Sequence, residues 1–236
     1  MIKRIDHCFV STLLTPVTHG FLTREQGDGT DNKKVELFIK SKYANCKSTQ
    51  FIHQVHGNTV YVVQGDTALI PDADALVTKL SHTVLVVRTA DCVPLVFSDP
   101  EAGVIGIAHC GWKGTVLKLQ QKTISQMTSL GARKDFIRVA IGPSINSCCY
   151  TVNSERLQQC ISAVGLSSVR GIIRSADGNG RLNLVQINYD LLLESGVQSK
   201  HIDYFPFCTS CDTNTFFSYR REKDRLSGEQ FSFIVQ

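Results

Sequence analysis

The chain has 236 residues, of which 42% are hydrophobic and 19% charged, and its formal net charge is +4. That length makes one large domain or two small ones, and the composition is ordinary for a globular protein with a sizeable core, which excludes disorder as the main state. The basic residues are spread along the chain except for Arg220-Arg221-Glu222-Lys223-Asp224-Arg225, a cluster with acids inside it, so nucleic acid is not an expected partner while a local anion site is allowed.

Met1 to Gly20 is broken by Lys3, Arg4, Asp6, His7 and Pro16 and holds no uninterrupted apolar signal core. No run approaches the roughly 20 apolar residues that cross a bilayer, so no membrane partner is expected. Gly27 to Lys34 is polar and glycine-containing and reads as a loop. Val60 to Val63 reads as a short strand rich in β-branched residues. Thr83 to Val87 and Val93 to Phe97 are apolar runs of strand length flanking Arg88-Thr89-Ala90-Asp91-Cys92. Val104 to Ala108 is a third such run and ends at His109-Cys110-Gly111-Trp112. The pattern then predicts a helix from about Thr115 to Leu130 with Gly131 as its stop, and a strand from Phe136 to Ile141. Ser175 to Arg181 reads as a second loop. Leu184 to Glu194 is a helix with Leu184, Ile187, Leu191 and Leu192 on one face, Asn183 as N-cap, Gln186 in capping-box position and Gly196 beyond the end. Strands and helices do not alternate strictly, which favours an α+β sandwich or layered fold over a doubly wound sheet.

The histidines and cysteines carry the chemistry. His53 and His56 stand in Phe51-Ile52-His53-Gln54-Val55-His56-Gly57, just before a strand; Cys92 sits between two strands; His109 follows a strand directly. Element ends beside glycine and proline are where a scaffold presents groups to a cleft. Two imidazoles and a thiolate suit zinc, and also copper. Three protein ligands leave a fourth tetrahedral position open, the arrangement of a catalytic site. His53 is an alternative ligand to His56. The same atoms also allow Cys92 as nucleophile with His109 as base. Nine cysteines in a chain of this length, an odd count, fit free thiols in a reducing cytosol and a cytoplasmic location. Cys208-x-x-Cys211 in isolation suggests half of a zinc knuckle or a redox pair, but it has no second pair of matching spacing, because Cys148 and Cys149 are adjacent, and so reads as two buried or partly buried thiols. Arg24, Arg88 and Lys113 lie beside glycine- or cysteine-containing turns and are candidates for phosphate contacts. Trp112, the only tryptophan, is suited equally to stacking on a base and to filling the core.

An ordered set of motifs points to a known family: His19-Gly20-Phe21-Leu22-Thr23-Arg24, Gln54-Val55-His56-Gly57, Asp72-Ala73-Asp74-Ala75-Leu76-Val77-Thr78, Ala90-Asp91-Cys92-Val93-Pro94, Ala108-His109-Cys110-Gly111-Trp112-Lys113-Gly114, Ile141-Gly142-Pro143-Ser144-Ile145, Cys149-Tyr150, and Cys208-Thr209-x-Cys211 followed by Phe216-Phe217-Ser218-Tyr219-Arg220-Arg221. From about His19 to its end the chain resembles the YfiH-like laccase-domain family, also called the purine nucleoside phosphorylase and polyphenol oxidase family. The resemblance implies one layered α+β domain over residues 1–236, with a mixed β-sandwich-like core flanked by helices, similar to the catalytic domain of a cytotoxic necrotising factor. It implies zinc on His56, Cys92 and His109 and demotes His53. It also implies phosphorolysis of adenosine, inosine, guanosine and methylthioadenosine, deamination of adenosine, and purine nucleosides and phosphate as partners. Arg24 and Lys113 are the expected phosphate-binding cations, and Asp91 is a candidate to orient a ligand.

Three positions depart from the family pattern, which usually has Ala at Cys110, Arg at Lys113 and Glu at Thr151. Cys110 adds a thiol beside a ligand and is a candidate fourth donor; Lys113 keeps the charge without the bidentate fork; Thr151 removes a carboxylate. The rivals are a copper-dependent polyphenol oxidase (laccase), a cysteine hydrolase acting on peptidoglycan precursors, and a binding module with structural zinc. Seven scattered histidines are few for a multicopper oxidase. Nothing in the sequence fixes the oligomeric state.

Overall fold

The computed structural model describes residues 1–5, 7–65, 70–164 and 169–236. In chain order its strands are β1 (Ile2–Ile5), β2 (Cys8–Ser11), β3 (Thr18–Leu22), β4 (Ser48–Gln50), β5 (Val60–Val63), β6 (Ala75–Thr78), β7 (Thr83–Thr89), β8 (Val93–Asp99), β9 (Val104–Cys110), β10 (Arg138–Ile141), β11 (Thr151–Val152), β12 (Ile172–Arg174), β13 (Gly180–Leu182), β14 (Ile202–Tyr204) and β15 (Gln230–Val235). The helices are α1 (Asn32–Lys42), α2 (Trp112–Val116), α3 (Leu119–Ser129), α4 (Ser154–Val164), α5 (Leu184–Glu194) and α6 (Tyr219–Glu222).

Two six-stranded mixed sheets, ordered β1-β2-β3-β15-β7-β4 and β14-β10-β8-β9-β6-β5, pack face to face, and a small sheet β11-β13-β12 lies beside them. Side chains alternate across a strand, and that period sorts the apolar residues into three layers. Phe21, Leu85, Val87 and Ile234 of the first sheet meet Leu76, Val96, Ile105 and Ile107 of the second in the central core. The outer face of the second sheet, with Val77, Leu95, Phe97 and Ala108, is covered by Leu119, Ile124 and Met127 of α3 and Leu191 and Leu192 of α5. The outer face of the first sheet, with Val84, Val86 and Phe233, is covered by Val35 and Ile39 of α1. The result is a sandwich with helices on both outsides, an α+β fold as expected. Strands β8 and β9 are buried on both faces, which is why they read as continuous apolar runs.

Helix α5 has the expected bounds, and Asn183 accepts a hydrogen bond from the Gln186 amide at 3.0 Å. The single helix expected from Thr115 to Leu130 is instead two, because Lys118 adopts a left-handed φ of 59° between α2 and α3 and redirects the chain so that Leu119, Ile124 and Met127 face the sheet. Its stop is as expected: Gly131 has φ 105°, and the Ala132 amide reaches back to the Met127 carbonyl. The loop expected over Gly27 to Lys34 holds as far as Asp31 and then gives way to α1 at Asn32, because Asp31 caps the amides of Lys33 and Lys34. The Ser175 to Arg181 loop gives way to β13 at Gly180, and the strand expected from Phe136 begins at Arg138. Among the described residues no helix is long and apolar enough to cross a membrane.

Candidate metal centre and its cavity

Three separate segments bring His56, Cys92 and His109 together. His56 stands in the connection between β4 and β5 at a left-handed φ of 57°. Cys92 closes the turn from β7 to β8, after Asp91 at φ 98°. His109 is the penultimate residue of β9 and faces the inter-sheet side with Ile105 and Ile107. One potential ligand atom from each lies within 4.8 Å of the others. The two imidazoles meet edge to face with centroids 4.8 Å apart. His109 is buried and Cys92 half-buried, while His56 is exposed, so the trio opens on the His56 side. His53 does not join it; its Nδ1 pairs with Asp72 at 2.8 Å near the surface.

The residue that holds the trio is Asp74, which is fully buried. Ala75 on β6 is the register partner of Ala108 on β9, so Asp74 and His109 adjoin at the end of that ladder, and the His109 amide donates to the Asp74 carbonyl at 2.7 Å. The Asp74 carboxylate accepts hydrogen bonds from His109 Nδ1 at 2.9 Å and from the amides of His56 at 3.0 Å and Gly57 at 2.6 Å. One carboxylate thus fixes the tautomer of one imidazole, leaving Nε2 for Cys92 and His56, and sets the backbone that presents the other. Burial would raise the Asp74 carboxyl, and its hydrogen bonds from His109, Gly57 and His56 bring it below its usual range. Gln54 bonds the Arg88 amide and carbonyl, both at 2.8 Å, and so ties the His56 loop to β7.

Burial opposes charge on both Cys92 and His109, yet each stabilises the other's ion. The Cys92 thiol is drawn below its ordinary value by His109 and His56, and the His109 imidazolium is held above its own by Cys92 and Asp74. Gly111 makes room for this pair, because a Cβ there would lie 3.0 Å from Cys92 Sγ and 3.3 Å from His56 Cδ2. Cys110 points the other way. It belongs to the core beneath α3 and α5, where burial keeps its thiol protonated, and it does not join the trio.

The trio lines a cavity of about 760 Å³ whose wall includes Trp112, Tyr150, Arg156, Arg220 and Glu229. The Arg156 guanidinium lies 4.6 Å from the Trp112 ring centre, and that of Arg220 lies 5.1 Å from the Tyr150 ring centre. Burial raises the Tyr150 hydroxyl to about 12 and lifts the Glu229 carboxyl above its usual range. The Asp91 carboxylate accepts from Thr209 Oγ1 at 2.7 Å, the Arg220 amide at 2.7 Å and Ser218 Oγ at 3.0 Å, none of them in the trio. Arg24 and Lys113 do not line the cavity: Arg24 bonds the Thr213 carbonyl and stacks on Phe217, and Lys113 is exposed. Arg88 does line it, held by the Gly29 carbonyl and Asn32. Asp74, Tyr150 and Arg220 stand in the family motifs without being singled out there, and the orienting role expected of Asp91 falls to Asp74; Arg156 and Glu229 carry no sequence signal and are gathered only by the fold.

Residues 22–236 match the family model described as multi-copper polyphenol oxidoreductase laccase. The chain is 34% identical over 201 residues to purine nucleoside phosphorylase YlmD of Bacillus subtilis, covering 80% of this chain and 71% of that protein. It is 36% identical over 156 residues to adenosine deaminase RL5 of an unknown prokaryotic organism, covering 65% of this chain and 59% of that protein. The crystal structure of YlmD from Geobacillus stearothermophilus superposes with a TM-score of 0.88 at 27% identity, over 99% of this chain and 97% of that one.

Proposed function

From its membership of the multi-copper polyphenol oxidoreductase laccase family, to which the chain belongs, we propose that this protein is a zinc-dependent purine nucleoside enzyme working as one catalytic domain. It cleaves adenosine, inosine, guanosine and methylthioadenosine with phosphate, and it deaminates adenosine. Relatives named purine nucleoside phosphorylase and adenosine deaminase support the substrate class. The observation that carries the reading is the open trio of His56, Cys92 and His109 in the wall of a cavity of nucleoside size.

The donor set fits zinc. Two imidazoles and one thiolate are a borderline-soft set, and with Cys110 on the other face of β9 only three protein atoms converge, which leaves a position for a reactant. Among the described residues this is the only such group containing histidine, and it has two, which does not support a multicopper oxidase. When bound, zinc supplies Lewis-acid activation of water. The chain supplies the rest. Trp112 and Tyr150 offer ring faces for a purine. Tyr150 keeps its proton and can donate to the ring or the sugar. Glu229, raised by burial, can carry a proton to a departing base or amine. Arg156 and Arg220 replace Arg24 and Lys113 as the phosphate-binding pair, because they line the cavity.

Purified protein is incubated with adenosine, with and without phosphate, and the products separated. The expected products are adenine with a phosphorylated ribose when phosphate is present, and inosine with ammonia when it is not. Zinc-replete, folded protein that yields neither overturns the proposal.

A second reading is favoured by one observation, the mutual stabilisation of a Cys92 thiolate and a His109 imidazolium, the resting pair of a cysteine hydrolase. That reading has no need of His56. A folded His56→Ala protein that loses the zinc of the trio but keeps full turnover would establish it; loss of that zinc and of turnover together supports the metal enzyme.

A further inference from the structure

A second group of metal-binding type lies outside the trio, in residues that read in sequence as ordinary thiols. The turn from Asn146 to Tyr150, closed by the amides of Cys149 and Tyr150 on the Asn146 carbonyl, presents Cys148 and Cys149. The segment after Phe207 presents Cys208 and Cys211, closed by the amides of Cys211 and Asp212 on the Cys208 carbonyl. A parallel bridge between Ser144 and Cys208 joins the two segments, and the Thr209 amide donates to the Ser144 carbonyl at 3.0 Å. All four sulfurs lie within 4.8 Å of one another. Cys211 Sγ is 3.4 Å from Cys149 Sγ and 3.6 Å from Cys148 Sγ.

We propose that Cys148, Cys149, Cys208 and Cys211 bind a second zinc ion in a closed, four-thiolate structural site. Four sulfurs each about 2.3 Å from a tetrahedral zinc stand roughly 3.8 Å apart, so the cluster needs only small adjustments to take one ion. The four donors are soft and saturate the tetrahedron, leaving no position for a reactant. On binding, each thiol protonated beforehand releases its proton to solvent as its Zn–S bond forms, and no electron is transferred. The Asn146 amide already points at Cys208 Sγ from 3.3 Å, a donor oriented to support a bound thiolate.

The ion's position gives it a role. Thr209, between two of its ligands, donates to Asp91, the residue before Cys92. Tyr150, next to Cys149, lines the cavity. Arg221 binds the carbonyls of Thr209 and Ser210 at 2.8 and 3.1 Å and that of Phe216 at 2.7 Å. An ion on the four cysteines therefore fastens the segment that supports the turn of Cys92 and one wall of the cavity.

The full chain, purified anaerobically without added metal, is assayed for zinc and examined by zinc-edge X-ray absorption. Wild type should carry two zinc ions per chain. His56→Ala should keep one, with an all-sulfur shell at about 2.3 Å. The double variant Cys208→Ser, Cys211→Ser should also keep one, with a mixed nitrogen and sulfur shell. Should the double variant not fold, the all-sulfur shell of His56→Ala decides alone. The proposal is overturned by one zinc per chain in wild type, by a His56→Ala protein without a sulfur-only shell, or by copper or disulfides on these four cysteines. Because the deciding shell is read in a protein lacking His56, its outcome is independent of whether the trio turns over nucleosides.

Discussion

Replacing Asp74 by Asn tests whether one buried carboxylate organises the trio. Asp74 is fully buried and meets three donors: His109 Nδ1 at 2.9 Å and the amides of His56 and Gly57 at 3.0 and 2.6 Å. Asn has nearly the same shape but only one accepting oxygen, and its amide nitrogen must face at least one of those donors. Losing one charge-assisted bond costs about 1.5–3 kcal/mol, and stranding its buried donor about 1–3 kcal/mol more, so the sum is about 2.5–6 kcal/mol. The same change frees the His109 ring to rotate or change tautomer, and loss of such a partner lowers metal affinity about 10- to 100-fold. Denaturant unfolding of the chelator-treated protein reads the first effect, and competition with a zinc chelator reads the second. Zinc affinity at the trio within twofold of wild type would refute the assignment of Asp74 as the positioning carboxylate. Stability lost without affinity lost would mean that Asp74 serves the fold alone.

Other positions test separate parts of the account. Gly111→Ala places a Cβ 3.0 Å from Cys92 Sγ, so zinc content at the trio should drop while the far-ultraviolet circular dichroism stays that of wild type; full occupancy would show that the crowding is relieved elsewhere. Phe21→Ala empties a site in the core between the two sheets and should cost about 3–5 kcal/mol in denaturant unfolding, with a loss below 1 kcal/mol contradicting the assignment of that core. His19 is held neutral, with its Nε2 accepting from the Ser11 amide at 2.8 Å and its Nδ1 facing the Val17 carbonyl at 2.9 Å. Burial depresses its pKa, so the unfolded chain binds more protons, and stability from this residue is complete above about pH 6.5 and declines as pH falls below it. Melting curves from pH 5 to 8 should therefore be flatter for His19→Gln than for wild type, and parallel profiles would remove His19 as a cause.

The parts of the fold legible in the sequence are those with a short-range signature. Helix α5 has an apolar stripe, a side-chain cap and a terminating glycine within a few residues, and its bounds follow from them. Strands β7, β8 and β9 each carry a continuous apolar run because both faces are covered, so they stand out without any knowledge of the neighbours. Helix α1 fully buries only Val35 and Ile39, leaves Leu37 exposed and begins and ends in polar residues, a weak signal that its Asp31 cap does not rescue. Strand β15 alternates plainly, but its place between β3 and β7 in the centre of a sheet is a long-range pairing with no local code. The convergence of His56, Cys92 and His109 was indicated by motifs, each at an element end. The cavity wall was not, since Arg156 on α4 and Glu229 before β15 become neighbours of the trio only through the folded chain. The cysteine quartet was hidden for a related reason: a spacing rule looks for two like pairs, and Cys148-Cys149 is not one.

The two cysteine-bearing clusters differ in the feature that separates reaction from scaffolding. In the trio, the face of β9 that carries His109 excludes Cys110, because neighbouring residues of a strand point to opposite sides, and a fourth thiol one residue away cannot close the site. His56 remains exposed toward the cavity, so a position stays open for a reactant. In the quartet, two turns contribute two sulfurs each, and a bound ion would have no position left. Asp91 connects them: its backbone precedes Cys92, and its carboxylate takes Thr209 and Ser218 of the segment that Arg221 and the quartet hold. If the quartet is a clamp, emptying it loosens Thr209 first, then the Asp91 turn, and only then the geometry of Cys92. Chelation that removes the sulfur-only ion should therefore raise KM for nucleoside and broaden the distribution of zinc–ligand distances at the trio, without removing the zinc held there. A nucleoside KM unchanged by loss of that ion would show that the Asp91 turn stands without the clamp.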